Sequence, residues 1–122
     1  MILKLGEAGA IRLLVSPQVL AEAESALRRK APETLGLLAV LLDRSRAEVV
    51  PAPTPEAIQA SQALTGHPGD AQILAAAWAI GADYFVTLDR EHFLDQPDLR
   101  GAVPFPLSMP GDFLAWYRQR FA

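Results

Sequence analysis

Gly69-Asp-Ala-Gln-Ile-Leu-Ala-Ala-Ala-Trp-Ala-Ile-Gly-Ala-Asp-Tyr-Phe-Val-Thr-Leu-Asp-Arg-Glu-His-Phe93 is the stretch on which the reading of this chain turns. Asp70 is a residue type that caps helices, and residues 71–80 are apolar at every position except Gln72. A helix that is apolar all round is buried on more than one side, so this one is expected in the middle of its domain. Gly81 supplies the stop. Asp83-Tyr-Phe-Val-Thr-Leu88 then has the β-branched and aromatic content of a strand, and Asp89 follows it directly. A buried helix leading into an apolar strand is the mark of an α/β unit.

The same alternation extends outward. Ala10-Ile-Arg-Leu-Leu-Val15 predicts a buried strand. Ser16-Pro17 reads as N-cap and first residue of a helix running to about Lys30, with Arg28, Arg29 and Lys30 in the last turn, where the helix dipole favours cations. Residues 32–44 predict a second helix with Leu35, Leu38 and Leu42 on one face, and residues 47–50 a short strand. Pro51-Ala-Pro-Thr-Pro55 is a stiff connector, Thr54-Pro55 opens a helix through about Leu64, and Gly66-His-Pro-Gly69 is a turn. Downstream, Gly101-Ala-Val-Pro-Phe105 predicts a last edge strand, because Pro104 would be out of place in a central one. Residues 113–121 predict a terminal helix. The expected fold is a single α/β domain over residues 1–122, three-layered, with a mostly parallel sheet and helices on both faces.

Composition narrows the function classes. At 122 residues and 51% hydrophobic the chain can bury a core, and 20% charged residues is too few for a disordered segment. There is no cysteine, which excludes disulfides, thiolate metal sites and thiol nucleophiles. The longest apolar stretch, residues 73–80, is too short to span a bilayer. Residues 1–6 carry one lysine and no cleavable apolar region, so no signal peptide is read and a cytoplasmic location is expected. A net charge of −3 argues against a broad basic face that grips nucleic acid, but not against an acidic site that meets phosphate through cations. Asparagine is absent and nine of the eleven basic residues are arginine, which fits a heat-adapted source or a GC-rich genome equally well.

Three carboxylates are expected at one edge. A ten-residue helix rises roughly 15 Å, and a strand of five or six residues spans roughly 17–20 Å. Asp70 at the start of the helix and Asp89 after the strand therefore fall near each other, at the sheet edge where α/β proteins place ligands. Glu22 lies in the second turn of the helix leaving strand 10–15, at the same edge. Three acids together repel, and a hard divalent cation such as Mg²⁺ or Mn²⁺ is the usual remedy. If Asp70 and Asp89 approach closely without metal, both should titrate above the ordinary carboxylate range. Each residue also has a plain structural reading. Asp70 can be an N-cap, Asp89 can cap a short helix beginning at Arg90, and Glu22 can be a solvated neighbour of the stripe Val19, Ala23, Ala26. Glu24 flanks the other side of that stripe, so periodicity does not choose between the two glutamates.

The 69–93 stretch resembles the second half of a PIN domain, in which an Asp-Ala pair opens an alanine-rich helix and a strand ends in Val-Thr-x-Asp. Leu14-Val-Ser-Pro-Gln-Val-Leu-Ala-Glu22 is similar to the segment before that family's glutamate, and Pro110-Gly-Asp-Phe-Leu114 looks like its closing helix. The resemblance implies a metal-dependent ribonuclease, often the toxin of a toxin–antitoxin pair and often a homodimer. It puts the metal ligands and catalytic acids on Glu22, Asp70 and Asp89, with Mg²⁺ or Mn²⁺ as cofactor and RNA as substrate. Thr87 occupies a position whose hydroxyl commonly supports the site. His67 stands where some relatives have another acid, either a turn residue or a further metal or phosphate contact. His92 reads as a surface residue near the site.

The chain departs from the family pattern in one respect. PIN domains open with a strand ending in a metal-binding aspartate, whereas residues 1–6 here look like the tail of the following helix, and no aspartate precedes Asp43. Without that strand, strands 10–15 and 83–88 are expected to pair directly or with a second chain, the protein to be a homodimer, and cleavage to be poor. The rival reading is a degenerate PIN-like module that binds a protein or RNA partner without catalysis. A small-molecule binder of flavodoxin type has no support, because no Gly-rich phosphate loop follows any strand.

Overall fold

The computed structural model of the protein describes residues 2–121. The chain divides into two compact units, one up to Ala52 and the other from Pro53 onward.

The first unit opens with α1 (Ile2–Glu7); Met1, counted with this helix in the sequence reading, lies outside the described residues. Gly6 is buried close against Ser45, where a Cβ would meet the Ser45 carbonyl oxygen. β1 (Leu14–Val15) leads into α2 (Pro17–Lys30), which begins as expected: Ser16 Oγ accepts a hydrogen bond from the Val19 N–H at 3.0 Å, and Pro17 takes the first helical position. The expected 32–44 helix divides into a 3₁₀ turn (Pro32–Thr34) and α3 (Leu35–Arg44). β2 (Glu48–Val49) runs parallel to β1, with Leu14 opposite Glu48, and Arg12 clamps Glu48 through two hydrogen bonds of 2.6 and 3.0 Å in the open. An exposed pair of this kind is screened by solvent and holds the strand end weakly.

The second unit carries the larger core. Thr54 Oγ1 caps α4 (Pro55–Thr65), and Gly66, at φ +74°, ends it in the left-handed conformation that glycine adopts without strain. α5 (Pro68–Ala79) packs on α4. It buries Ala71, Leu74, Ala75 and Ala76 fully, yet Trp78 is exposed, so the expectation of burial all round holds for one face only. β3 (Phe85–Val86), a wide π turn (Arg90–Leu94), α6 (Pro97–Ala102), β4 (Leu107–Ser108) and α7 (Pro110–Phe121) follow. β3 and β4 are parallel, with Phe85 opposite Leu107. Leu74, Phe85, Phe93, Leu99, Val103, Phe105 and Leu107 close the core between them.

Three expectations are corrected. Residues 101–105 are not a strand: Pro97 starts α6, which runs through Gly101 and Ala102, and Val103 N–H donates to the Leu99 carbonyl to finish that turn. The last strand is instead Leu107–Ser108, hemmed in by Pro106 and Pro110, neither of which has an N–H to extend a ladder. The same limit keeps β3 short: Phe85 N–H donates to the Pro106 carbonyl at 2.9 Å and Thr87 N–H to the Ser108 carbonyl at 3.0 Å, and the prolines on either side have no N–H to donate back. Finally, the parallel pairing among the described residues forms two two-stranded sheets, β1–β2 and β3–β4, rather than one.

Candidate metal centre

α5 starts three residues earlier than the sequence suggests. Pro68 takes the first helical position and His67 the N-cap position, so Asp70 is not a cap but a residue of the first turn, mostly buried, where the helix dipole favours a carboxylate. Asp89 does cap, as its plain reading proposed. Its Oδ1 accepts from the His92 N–H at 3.0 Å, opening the π turn Arg90–Leu94. Thr87 Oγ1 accepts from the Asp89 N–H at 3.0 Å, and the Thr87 N–H is tied to the Ser108 carbonyl, so β3 fixes the backbone from which Asp89 projects.

His92 joins the two aspartates. Its Nδ1 lies 2.9 Å from Asp89 Oδ2 and 3.8 Å from Asp70 Oδ2. Those two carboxylate oxygens are therefore no farther apart than the two distances laid end to end, and Asp70 and Asp89 share one neighbourhood. The His67 ring stands edge-on to His92, with centroids 4.5 Å apart and planes at 72°. His67, Asp70 and His92 each offer one ligand atom, all within 4.8 Å of one another. Glu22 lies in the first unit, on α2, exposed to solvent; the half-buried glutamate of that helix region is Glu24.

Electrostatics follow the hydrogen bonds. Asp89 was expected to titrate high beside Asp70, and it titrates below the ordinary carboxylate range instead. The His92 N–H is the main cause, with the His92 ring and charge adding to it against a smaller effect of burial. His92 is raised above its ordinary value, chiefly by its hydrogen bond to Asp89, with the charges of Asp89, Asp70 and Glu91 adding to it. His92, which the sequence places on the surface near the site, thus stands between the two aspartates as a hydrogen-bond partner of Asp89. The Asp89-x-x-His92 spacing held the signal: a cap accepts from the residue three positions on, and that residue is His92.

The donor set suits a divalent cation. Carboxylate oxygens and neutral imidazole nitrogens are both metal ligands, and each is placed here by an element terminus rather than by a free loop. No curated protein and no solved structure matches the chain. A family model described as PIN domain does match, over residues 3–98. Since that match runs from α1 through Glu22, the Asp70 turn and the Asp89–His92 pair, this chain belongs to the PIN-domain family.

Proposed function

We propose that the protein is a metal-dependent ribonuclease of PIN type. The observation that carries this reading is the convergence of Asp70 and Asp89 on one histidine nitrogen, in a chain whose family model has a nuclease-type fold. Asp70 and Asp89 would hold Mg²⁺ or Mn²⁺, and Glu22 enters the ligand set through the family resemblance. When bound, the cation would polarise a phosphodiester and make water a competent nucleophile near neutral pH.

The chain's own residues do the rest. Thr87 and β3 orient the Asp89 carboxylate, and the first turn of α5 positions Asp70. His92 Nδ1 lies within hydrogen-bond distance of Asp89 Oδ2 and helps hold that carboxylate in place. An RNA substrate fits a cytoplasmic location, and an antitoxin-like protein is the partner this reading assigns. The match across both compact units supports treating them as one domain.

The test is cleavage of a mixed-sequence RNA with and without Mg²⁺ or Mn²⁺. Asp70→Asn, Asp89→Asn and Glu22→Gln should each reduce the rate on the order of 10²-fold, the upper end of what losing even an outer partner of a metal site costs. Metal-independent cleavage would overturn the metal-dependent reading, and no cleavage by the unsubstituted protein at millimolar metal would favour a partner-binding module instead.

A further inference from the structure

The two histidines beside the aspartates have a chemistry that an all-carboxylate site lacks. We infer that His67, Asp70 and His92 form a site for a borderline divalent transition metal, with two imidazole nitrogens and one carboxylate oxygen as ligands. This deepens the reading above and rests on it in one respect, because Asp70 belongs to both ligand sets.

The placement is local and nearly complete. His67 and Asp70 are three residues apart at the start of α5, and His92 is anchored by its own N–H on Asp89. One ligand atom from each residue already lies within 4.8 Å of the others. Two ligands on one ion, each at roughly 2.0–2.2 Å, sit no more than about 4.4 Å apart. Sub-ångström side-chain rotation therefore closes the set without moving a helix. His67 occupies the N-cap position of α5 but makes no capping hydrogen bond with its side chain, so its ring is not committed to the helix. The two rings meet edge to face, with centroids 4.5 Å apart, so they are close enough to serve one ion without being stacked flat on each other.

Ligand type then selects the ion. Mg²⁺ takes oxygen ligands and keeps its waters, and it gains little from imidazole. Two imidazoles and a carboxylate bind Fe²⁺, Co²⁺, Ni²⁺ or Zn²⁺ far better and leave positions open for water or a phosphate oxygen. The site thus discriminates among divalent cations where three carboxylates would not.

Co²⁺ is the probe, because its visible absorption reports nitrogen ligation directly. Titrating it into the full chain should give a saturable band with one equivalent bound, and paramagnetic broadening of both the His67 and His92 ring signals in NMR. His67→Ala and His92→Gln should each weaken Co²⁺ binding by about 10–100-fold or more, at least the loss that outer-shell substitutions cause. Millimolar Mg²⁺ should leave the band in place. Co²⁺ binding that ignores both substitutions, or ring signals left sharp in the unsubstituted protein at saturation, would overturn the assignment. The NMR measurement needs no variant, so a misfolded substitution cannot shelter the idea. Mg²⁺-dependent RNA cleavage is read separately. Lost cleavage with an intact histidine-dependent band defeats the nuclease reading alone, and intact cleavage with no such band defeats this one alone.

Discussion

Asp89 meets two donors from the same neighbour, the His92 N–H and the His92 ring, and this governs how both residues titrate. His92 is raised in the folded chain, so its stabilising share is complete below the unfolded value of about 6.5 and is lost as pH climbs through the folded value. Asp89 is lowered, so its share is complete above an unfolded value of about 3.9 and is lost as pH falls through the folded one. Both shares are complete together between roughly pH 4 and 6.5. Asp89→Asn should therefore lower the melting temperature most at about pH 5–6, the middle of that window, and less at pH 9. The difference should not vanish at pH 9, because the His92 N–H needs no proton from solvent to donate. Solvent screening keeps the effect small. An NMR titration of the His92 ring in Asp89→Asn should show its pKa falling back toward the ordinary value; an unmoved pKa would remove Asp89 as the cause. Asp70, Asp89 and Thr87 were legible from sequence as residues of one region. His92 was legible only as a surface residue near it; its tie to Asp89 was not, because that tie arises from a cap geometry and not from periodicity.

Helix starts are the elements the sequence specifies best, and the reason is chemical. Ser16-Pro17 and Thr54-Pro55 each pair a capping hydroxyl with a proline preset for the first helical turn, and both helices begin there. α5 begins three residues before the expected start because His67 is not a capping residue type, and the 66–69 segment with Pro68 reads as a turn. Strand ends were poorly legible, since a ladder ends where its partner runs out of donors, and Pro106 and Pro110 lie twenty residues and more from β3 in sequence. Two substitutions test the packing of elements. Leu74 is fully buried on α5 in the core of the second unit, and Leu74→Ala should cost about 2–5 kcal/mol in denaturant unfolding. Gly6→Ala sets two effects against each other. Alanine favours a helix interior by about 1 kcal/mol over glycine, but its Cβ would collide with the Ser45 carbonyl oxygen, a backbone atom that no rotamer change can move. Overpacking of this kind costs about 1–3 kcal/mol, so the net change should be destabilising. A stabilised Gly6→Ala protein would mean that α1 does not lie against Ser45.

At the scale of the whole molecule, the two units differ in how much apolar surface they hide. Among the described residues, Val50 is the single buried apolar side chain of the first unit, while Leu37, Val40, Leu41 and Val49 are exposed at 58, 48, 40 and 55%. Three of the four lie on α3, a helix with no buried residue, and the fourth is on β2. A segment this poorly buried cannot offset the conformational entropy of its own folding, so residues 1–52 expressed alone should be unfolded by circular dichroism. Exposed apolar side chains grouped on one element also favour association, since a patch of this kind on a soluble protein marks a surface that becomes covered. A second copy of the chain is the occupant always present at the protein's own concentration, and a two-fold arrangement would let α3 meet its own counterpart. Sedimentation equilibrium of the full chain should therefore give a dimer that dissociates on dilution. Leu37→Glu combined with Leu41→Glu should shift it to monomer while the second unit's core keeps its aromatic near-ultraviolet signal. A monomer at high micromolar concentration, or a dimer indifferent to both glutamates, would take α3 out of the interface.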